Sequence, residues 1–399
     1  MTDISNLDTI NVGIVGHIDH GKTTLLQKLS GKWADTHSEE LKRGITIKLG
    51  YADAIIYDED GKLTTKKDSG GKPLKYITFV DAPGHEMLMA TMLSGAAIMD
   101  AAILVISAGE GIKPQTYEHL VALKAKKIKN IIIAQNKIDL VTKEQAVENY
   151  KKIKEFLKGT VAENSPIIPI SAQQEININE ILAELLKVKI KKPDKTAQPI
   201  FFVARSFDIN KPGTKIENLH GGVIGGALKQ GQLKIGETIE IKPGYSYKKQ
   251  NQVYYKTIKS KIISIHKGNY PVSVAVSGGS LAIETELDPS LTKADGISGS
   301  VASTAGNLPE ITDKITISYD LFPEIFSTNG KEPVQEIKPN EVLMLSLNTS
   351  ITVGQVIKVK NKITELSLKI PVVPLKGDSI GIARNFNGHW RLIGFGEIA

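Results

Sequence analysis

The stretch GHIDHGKTT (16–24) carries a spacing that phosphate chemistry can use: Gly16, four residues, then Gly21-Lys22-Thr23. Glycines at those two places permit a tight turn whose backbone N–H groups point inward at phosphate oxygens. Lys22 can then reach the outer phosphates, and the Thr23 hydroxyl can ligate Mg²⁺. Asp19, His20 and Thr24 complete the nucleotide-binding run, with Asp19 a second candidate for the metal. The apolar run INVGIV (10–15) before the loop reads as a strand and KTTLLQKLS (22–30) after it as a helix. The phosphates would therefore meet a helix N-terminus, where the backbone carries partial positive charge.

Three further groups turn a phosphate cradle into a site for GTP. Asp81-Ala82-Pro83-Gly84-His85 follows the run KYITFV. An aspartate at that strand end can hold Mg²⁺ through water, and the Gly84 N–H can meet a γ-phosphate; alone, the same residues read equally well as a turn into a helix. Asn136-Lys137-Ile138-Asp139 follows NIIIAQ. The Asp139 carboxylate can accept both N1–H and the 2-amino group of guanine, a pair adenine does not offer, and a wrong base would leave buried polar groups unpaired. Ser171-Ala172, after IIPI and before Gln173, supplies a backbone contact to guanine O6. Within LKRGITIKLGYADA (41–54), Thr46 is a candidate second Mg²⁺ ligand, ordered when a γ-phosphate is present. Glu39 and Glu40 just before it read as a solvated switch helix.

These residues need a scaffold that presents loops from strand ends. Between 10 and 192, INVGIV, KYITFVD, AAILVIS, NIIIAQN and SPIIPIS read as buried parallel strands. Helical patterns at 22–30, 85–97, 115–127, 143–158 and 178–188 alternate with them, which predicts a doubly wound, mostly parallel α/β P-loop domain. The lysine-rich KVKIKKPDKTAQP (187–199) breaks the pattern as a linker. Beyond it, short β-branched runs recur between Gly and Pro: FFVARSFDI, GETIEIKPG, TIKSKIISIH, SLAIETEL, KITISYDLF, EVLMLSLNT, QVIKVK, ITELSLKI and SIGIARN. They predict two all-β barrels divided near 308–314. The resulting division is 1–196 for the nucleotide domain, 197–310 and 311–399 for the barrels. A chain of 399 residues suits that organisation.

The net charge of +7 favours a polyanionic partner. With no cysteine, disulfides, thiolate metal sites and cysteine nucleophiles are excluded. The N-terminus has no basic-then-apolar pattern, and the most apolar run (95–109) is interrupted by Asp100. The expectation is a cytoplasmic protein with no membrane partner.

GHIDHGKTT, RGIT, DAPGH and NKID together resemble the translational GTPases, the elongation factor Tu group. HSEELKRGITIKLGYADA (37–54), ARSFDINKPGT (204–214), LHGGVIGGAL (219–228) and LDPSLTKADGISGSV (287–301) narrow the resemblance to the gamma subunit of archaeal and eukaryotic translation initiation factor 2. That resemblance implies a GTPase domain followed by two barrels, closed by GTP into a form that carries initiator methionyl-tRNA to the small ribosomal subunit. It implies a heterotrimer, with an alpha subunit on the first barrel and a beta subunit on the GTPase domain. It gives His85 the positioning of the attacking water, with Ile18 and Ile45 screening it from the γ-phosphate. It also places Tyr51, Arg205, His220, Gly221 and Gly222 near the aminoacylated end of the tRNA. One departure stands out: family members often carry a four-cysteine zinc knuckle where this chain has YDEDGKLTTKKDSGGKPLKY (57–76). No zinc is expected, and the segment reads as a polar hairpin or loop pairing IIY with KYITF.

Other features are weighed more plainly. The span 241–270 holds seven lysines, five tyrosines and no acid. It reads as a solvated barrel hairpin whose tyrosines cover the sheet, in preference to a nucleic-acid surface. His17, His20, His119, His220 and His266 form no metal-ligand spacing. A sibling carrier, elongation factor Tu or the selenocysteine-specific factor, is the alternative; the latter normally has further C-terminal domains, whereas this sequence stops at Ala399. A GTP-using synthetic enzyme would need an acid-base cluster in the C-terminal half, where only strands are read. No arginine lies in a context suited to a cis arginine finger, a part worth ~10³–10⁵ in rate elsewhere. Intrinsic hydrolysis is therefore expected to be slow and to rise with a partner.

Overall fold

The computed structural model describes residues 7–31, 50–66, 70–82, 89–190, 194–250, 252–327, 330–386 and 388–399. The chain divides into two compact units, the first Met1–Lys191 with Glu324–Pro333 and Phe386–Leu392, the second Lys192–Pro323, Val334–Asn385 and Ile393–Ala399.

In the first unit, seven strands form one sheet: β1 (Asp8–Gly16), β2 (Gly50–Glu59), β3 (Lys62–Thr64), β4 (Lys72–Asp81), β5 (Ala101–Ser107), β6 (Asn130–Asn136) and β7 (Ile167–Pro169). Their order is β3-β2-β4-β1-β5-β6-β7. β4, β1, β5, β6 and β7 run parallel, while β2 and β3 form an antiparallel edge. The helices are α1 (Lys22–Ser30), α2 (Met89–Ala96), α3 (Pro114–Ala125), α4 (Lys143–Leu157) and α5 (Ile178–Lys187). β5 is buried along its whole length, as a central parallel strand covered on both faces must be. α1 buries Leu25, Leu26 and Leu29 against the sheet and stops at Gly31, whose left-handed backbone donates its N–H to the Gln27 carbonyl. α4 starts on a capping box, Thr142 with Gln145. The end of α5 is closed differently: the buried Lys75 ammonium donates to the carbonyls of Leu185, Leu186 and Val188 at 3.1, 3.0 and 2.7 Å.

The expected pairing of IIY with KYITF is present, as Ile55 opposite Tyr76 and Ile56 opposite Lys75. β2 turns into β3 through Asp60-Gly61, both at positive φ, with the Asp58 carboxylate accepting the Gly61 N–H at 2.8 Å. That Asp-Gly pair is the chemistry a two-residue hairpin requires.

The second unit holds the first barrel and most of the second, whose Phe386–Leu392 belong to the first unit. In the first barrel, β8 (Ile200–Phe207), β9 (Val223–Gln230), β11 (Thr238–Lys249), β12 (Gln252–Lys267), β15 (Leu281–Thr285) and β16 (Val301–Thr304) follow the order β11-β16-β8-β9-β15-β12, and a β11–β12 pairing closes the ring. The short β10 (Gln232–Lys234), β13 (Tyr270–Pro271) and β14 (Val274–Val276) flank it, and a four-residue helix α6 (Pro289–Thr292) follows β15. Phe201, Val203, Ile224, Ile241, Ile258 and Ile283 fill the interior. The second barrel closes in the order β17-β22-β21-β20-β23-β24, with β17 (Thr312–Leu321), β20 (Val342–Leu347), β21 (Ser350–Lys360), β22 (Ile363–Val372), β23 (Ser379–Phe386) and β24 (His389–Ile398). A separate hairpin, assigned to the first unit, pairs β18 (Glu324–Ser327) with β19 (Gly330–Pro333). Alternation is plain in β17, where Ile315, Ile317 and Tyr319 are buried between exposed neighbours.

Among the barrel strands the sequence did not single out, besides β16 and the short flanking strands, are β9 and β24. Both are rich in glycine, which weakens the β-branched signal. A Cβ on Gly226 would lie 1.8 Å from the Phe202 carbonyl oxygen, so β8 and β9 approach too closely there for a side chain. The Lys/Tyr-rich span also differs from expectation. β11 and β12 do form a hairpin, but beyond Tyr245 and Lys256 they pair only with each other among the described residues, and Tyr247 and Tyr254 do not cover the sheet.

Candidate guanine-nucleotide site

The first unit brings the sequence-predicted residues to the C-terminal ends of β1, β4 and β6 and the loop after β7, where open α/β sheets bind ligands. The loop from Gly16 to Gly21 needs both glycines. Gly16 has φ 137° and Gly21 φ 91°, and a Cβ on either would lie 2.4 Å from the Val105 carbonyl oxygen or 2.3 Å from the Asn136 amide nitrogen. The Lys22 ammonium donates to the His17 carbonyl at 2.8 Å, holding its head group over the loop. Ile18 is half-buried on that loop; Asp19 is exposed with φ 61°. Thr24 lies in the first turn of α1.

Thr23 donates its hydroxyl to the Asp81 carboxylate at 3.3 Å, and Asp81 is fully buried at the end of β4. A hydroxyl and a carboxylate held together beside a phosphate loop are the hard oxygen donors that suit Mg²⁺. Tyr51, on β2, is half-buried opposite Val80. Ile45, Thr46, Glu39, Glu40, Gly84 and His85 lie outside the described residues.

The buried Asn136 does more than sequence reasoning assigned to it. Its amide nitrogen donates to the His20 carbonyl at 2.9 Å, and its amide oxygen accepts the Ala172 N–H at 2.9 Å. It thus ties the phosphate loop to the Ser171-Ala172 loop. With the Ala172 N–H engaged, the Gln173 N–H next to it makes no hydrogen bond among the described residues, and Gln173 is exposed. Lys137 takes a left-handed backbone and its ammonium sits 3.5 Å from Glu110. That turn points Asp139 into solvent, so its carboxylate is open to a base. Buried Ser171 accepts the Gln174 N–H on its hydroxyl at 3.1 Å.

Two histidines were underread. His20 is fully buried beside the Val105 carbonyl at 3.2 Å, and burial lowers its pKa to about 4. His119, on α3, accepts the Gly16 N–H on Nδ1 at 2.8 Å. Burial, with the charge of Lys22 and His17 added, lowers its pKa to about 3, so a neutral ring shapes the start of the loop. No local signal marks this role, because His119 and Gly16 are 103 residues apart.

In the second unit, Arg205 pairs with Asp295 at 2.8 Å, which also accepts the Ser206 N–H. His220 is more than half exposed and its Nδ1 sits 2.8 Å from Glu284, which also accepts from the Ser264 hydroxyl. Burial works to raise the Glu284 pKa, but those bonds hold it below the usual value. Gly221 and Gly222 pack against Thr285 and Thr292 with no room for a Cβ, and Gly222 donates its N–H to Leu287 at 2.8 Å. His220, Gly221 and Gly222 therefore form one loop braced on β15.

A family model described as the elongation factor Tu GTP binding domain matches residues 7–191, and one described as the C terminal of initiation factor eIF2 gamma matches 313–398. Translation initiation factor 2 subunit gamma of Methanococcus maripaludis is 50% identical over 406 residues, covering 99% of each chain. The chain belongs to the translation initiation factor 2 gamma-subunit family. The gamma subunit of Methanocaldococcus jannaschii is 48% identical over 98% of this chain and 97% of its own, and that of Natronomonas pharaonis 47% over the whole of both. This gamma-subunit family member is thus a translational GTPase that binds guanine nucleotide.

Among solved structures, a bacterial selenocysteine-specific elongation factor EF-Sec superposes with a TM-score of 0.78 at 24% identity, over 98% of this chain. The chain spans 58% of that protein's length. Translation elongation factor SelB from Methanococcus maripaludis, bound to a GTP analogue, gives 0.74 at 24% identity, over 98% of this chain and 79% of its own. At that identity these likenesses speak for the fold, a GTPase domain with two barrels.

Proposed function

We propose that this gamma-subunit family member carries initiator methionyl-tRNA to the small ribosomal subunit under the control of GTP, and that hydrolysis switches it to a low-affinity state. The observation that supports this best is the match to initiation factor 2 gamma subunits at 50% identity across 99% of both chains. In this reading Lys22 and the loop hold the phosphates, Asp139 selects guanine, and the Ser171-Ala172 loop meets O6 through its backbone, by the Gln173 N–H in place of the Ala172 N–H that Asn136 engages. Thr23 and Asp81, the latter through water, would hold Mg²⁺, joined by Thr46 and with Asp19 as a further oxygen. When bound, that ion neutralises charge on the outer phosphates. His85 orients the water, screened by Ile18 and Ile45, and Gly84 senses the γ-phosphate.

Tyr51, Arg205, His220, Gly221 and Gly222 receive the aminoacylated end. An alpha subunit sits on the first barrel and a beta subunit on the GTPase domain, completing a cytoplasmic heterotrimer. The working division stays 1–196, 197–310 and 311–399.

Filter binding of initiator methionyl-tRNA against an elongator aminoacyl-tRNA tests the reading, with GTP analogue or GDP and with or without an alpha subunit. The expected result is retention of the initiator alone, at least about tenfold tighter with the GTP analogue, a difference of about 1.4 kcal/mol. Equal retention of both tRNAs would point instead to a general aminoacyl-tRNA carrier.

A further inference from the structure

The first barrel carries a feature that the nucleotide site does not use. β11 and β12 pair within the barrel from Thr238–Lys261 to Ile241–Ile258, pass a bulge, and pair again from Tyr245–Lys256 to Lys249–Gln252. The neighbours of both strands end inside the barrel: β16 pairs with β11 only at residues 239–242, and β15 and β13 with β12 only from Ile262 onward. The outer five pairs are therefore a two-stranded ribbon standing in solvent. An isolated ribbon of that kind is marginal in water. Here its base is anchored by Tyr245, which packs on the barrel core.

Tyr247 and Tyr254 oppose each other on one face and stack at 5.7 Å with their planes 24° apart, and Tyr245 lies 6.0 Å further along. Both outer rings stay in water, 44% and 40% exposed. Lys248, Lys249, Lys256, Lys259 and Lys261 are exposed on the same hairpin, and none has a carboxylate partner among the described residues. The thirty residues 241–270 contain no acid that could neutralise them. The exposed ring faces and the lysines match what an unstacked nucleotide offers, a π-face and a phosphate.

We infer that the ribbon is a binding site for single-stranded RNA, in which bases continue the Tyr247–Tyr254 stack and the tip lysines meet the phosphates. Lysines act as point charges rather than forks, so the site reads backbone and stacking with little sequence preference. The inference does not depend on the carrier reading: it requires neither GTP nor an aminoacyl group.

Fluorescence anisotropy of the full chain with labelled fifteen-nucleotide oligo-A and oligo-U RNA, titrated across KCl concentrations, tests it. Y247A/Y254A should weaken oligo-A binding about tenfold or more, because stacking of each base is worth that order of affinity. K248Q/K249Q/K256Q should lower the slope of log K against log salt by about 2, the share of three phosphates on a single strand. Both variants should keep wild-type melting curves and GTP affinity, and wild-type binding should be the same with GTP analogue and GDP. Unchanged RNA affinity and salt slope in both variants would overturn the inference. So would a tyrosine variant without effect beside a lysine variant that weakens RNA and heparin alike, which would leave a bare charge patch. Loss of initiator tRNA discrimination with intact oligonucleotide binding would strike the carrier reading and leave the ribbon standing.

Discussion

At the scale of single residues, the site divides into groups whose chemistry is carried by their type and groups whose role depends on what the fold brings to them. Asp139 is of the first kind: an exposed carboxylate three positions after Asn136 needs only the right loop to face a base with two donors. Asp139→Asn should cut GTP affinity by roughly 10²-fold or more, since charged hydrogen bonds are each worth about 1.5–3 kcal/mol. The amide should in turn favour xanthosine triphosphate, whose 2-oxo group accepts where guanine donates. Competition binding of the two nucleotides measures this, and retained guanine preference would refute the assignment. His119 is of the second kind. Its neutral ring accepts the Gly16 N–H across a long sequence gap, so nothing near Tyr117 or Leu120 in the sequence could announce it. Asn136 is mixed: it was legible as part of NKID, but its two buried partners, the His20 carbonyl and the Ala172 N–H, appear only in three dimensions.

At the scale of elements, the helices were legible because their 3.6-residue periodicity and caps lie within the elements themselves. α1, α4 and α5 start where the sequence says they should and end within a residue of it. β9 and β24 were harder to see, because the glycines that let strands approach closely remove the signal that marks strands. What joins the elements at the nucleotide site is Asn136, which links the β1–α1 loop, the end of β6 and the loop after β7. Asn136→Ala leaves a buried carbonyl and a buried N–H without partners, at about 1–3 kcal/mol each. The GTPase unit should lose about 2–4 kcal/mol, or roughly 5–15 °C in its melting transition. GTP affinity should fall as well, because the guanine loop is no longer tied to the phosphate loop. Calorimetry with and without nucleotide tests both parts. A variant with wild-type melting and GTP affinity would show that the link is dispensable.

At the scale of the whole molecule, the last helix of the α/β part ends at Lys187 and the first barrel strand begins at Ile200, and the two compact units make a single unfolding transition a poor assumption. The first unit holds buried groups that couple its stability to pH. His20 and His119 have folded pKa values of about 4 and about 3, below the 6.5 of the unfolded chain. As pH falls below about 6.5 the unfolded chain takes up two protons that the folded unit refuses, so acid destabilises it. Asp100 works the other way, because burial raises its pKa from 3.8 to about 6 even though the Asn11 N–H opposes the shift. Between about pH 6 and 4 the folded unit holds that one extra proton. For these three groups the balance is about one proton in favour of the unfolded state, or about 1.4 kcal/mol of stability lost per pH unit in that window, and His17, whose pKa burial also lowers, acts in the same direction. Asp100→Asn removes the opposing group and should steepen the loss toward two protons; His119→Gln should flatten it toward zero. The transition belonging to this unit can be recognised in a melt because saturating GDP raises it by mass action. Denaturant melts at pH 7, 6 and 5 with GDP as that marker measure the slope. A wild-type stability that is flat or rises toward pH 5 would mean that His20 or His119 is charged in the folded unit; if His119→Gln then left the slope unchanged, His119 would be the charged ring and could not accept the Gly16 N–H.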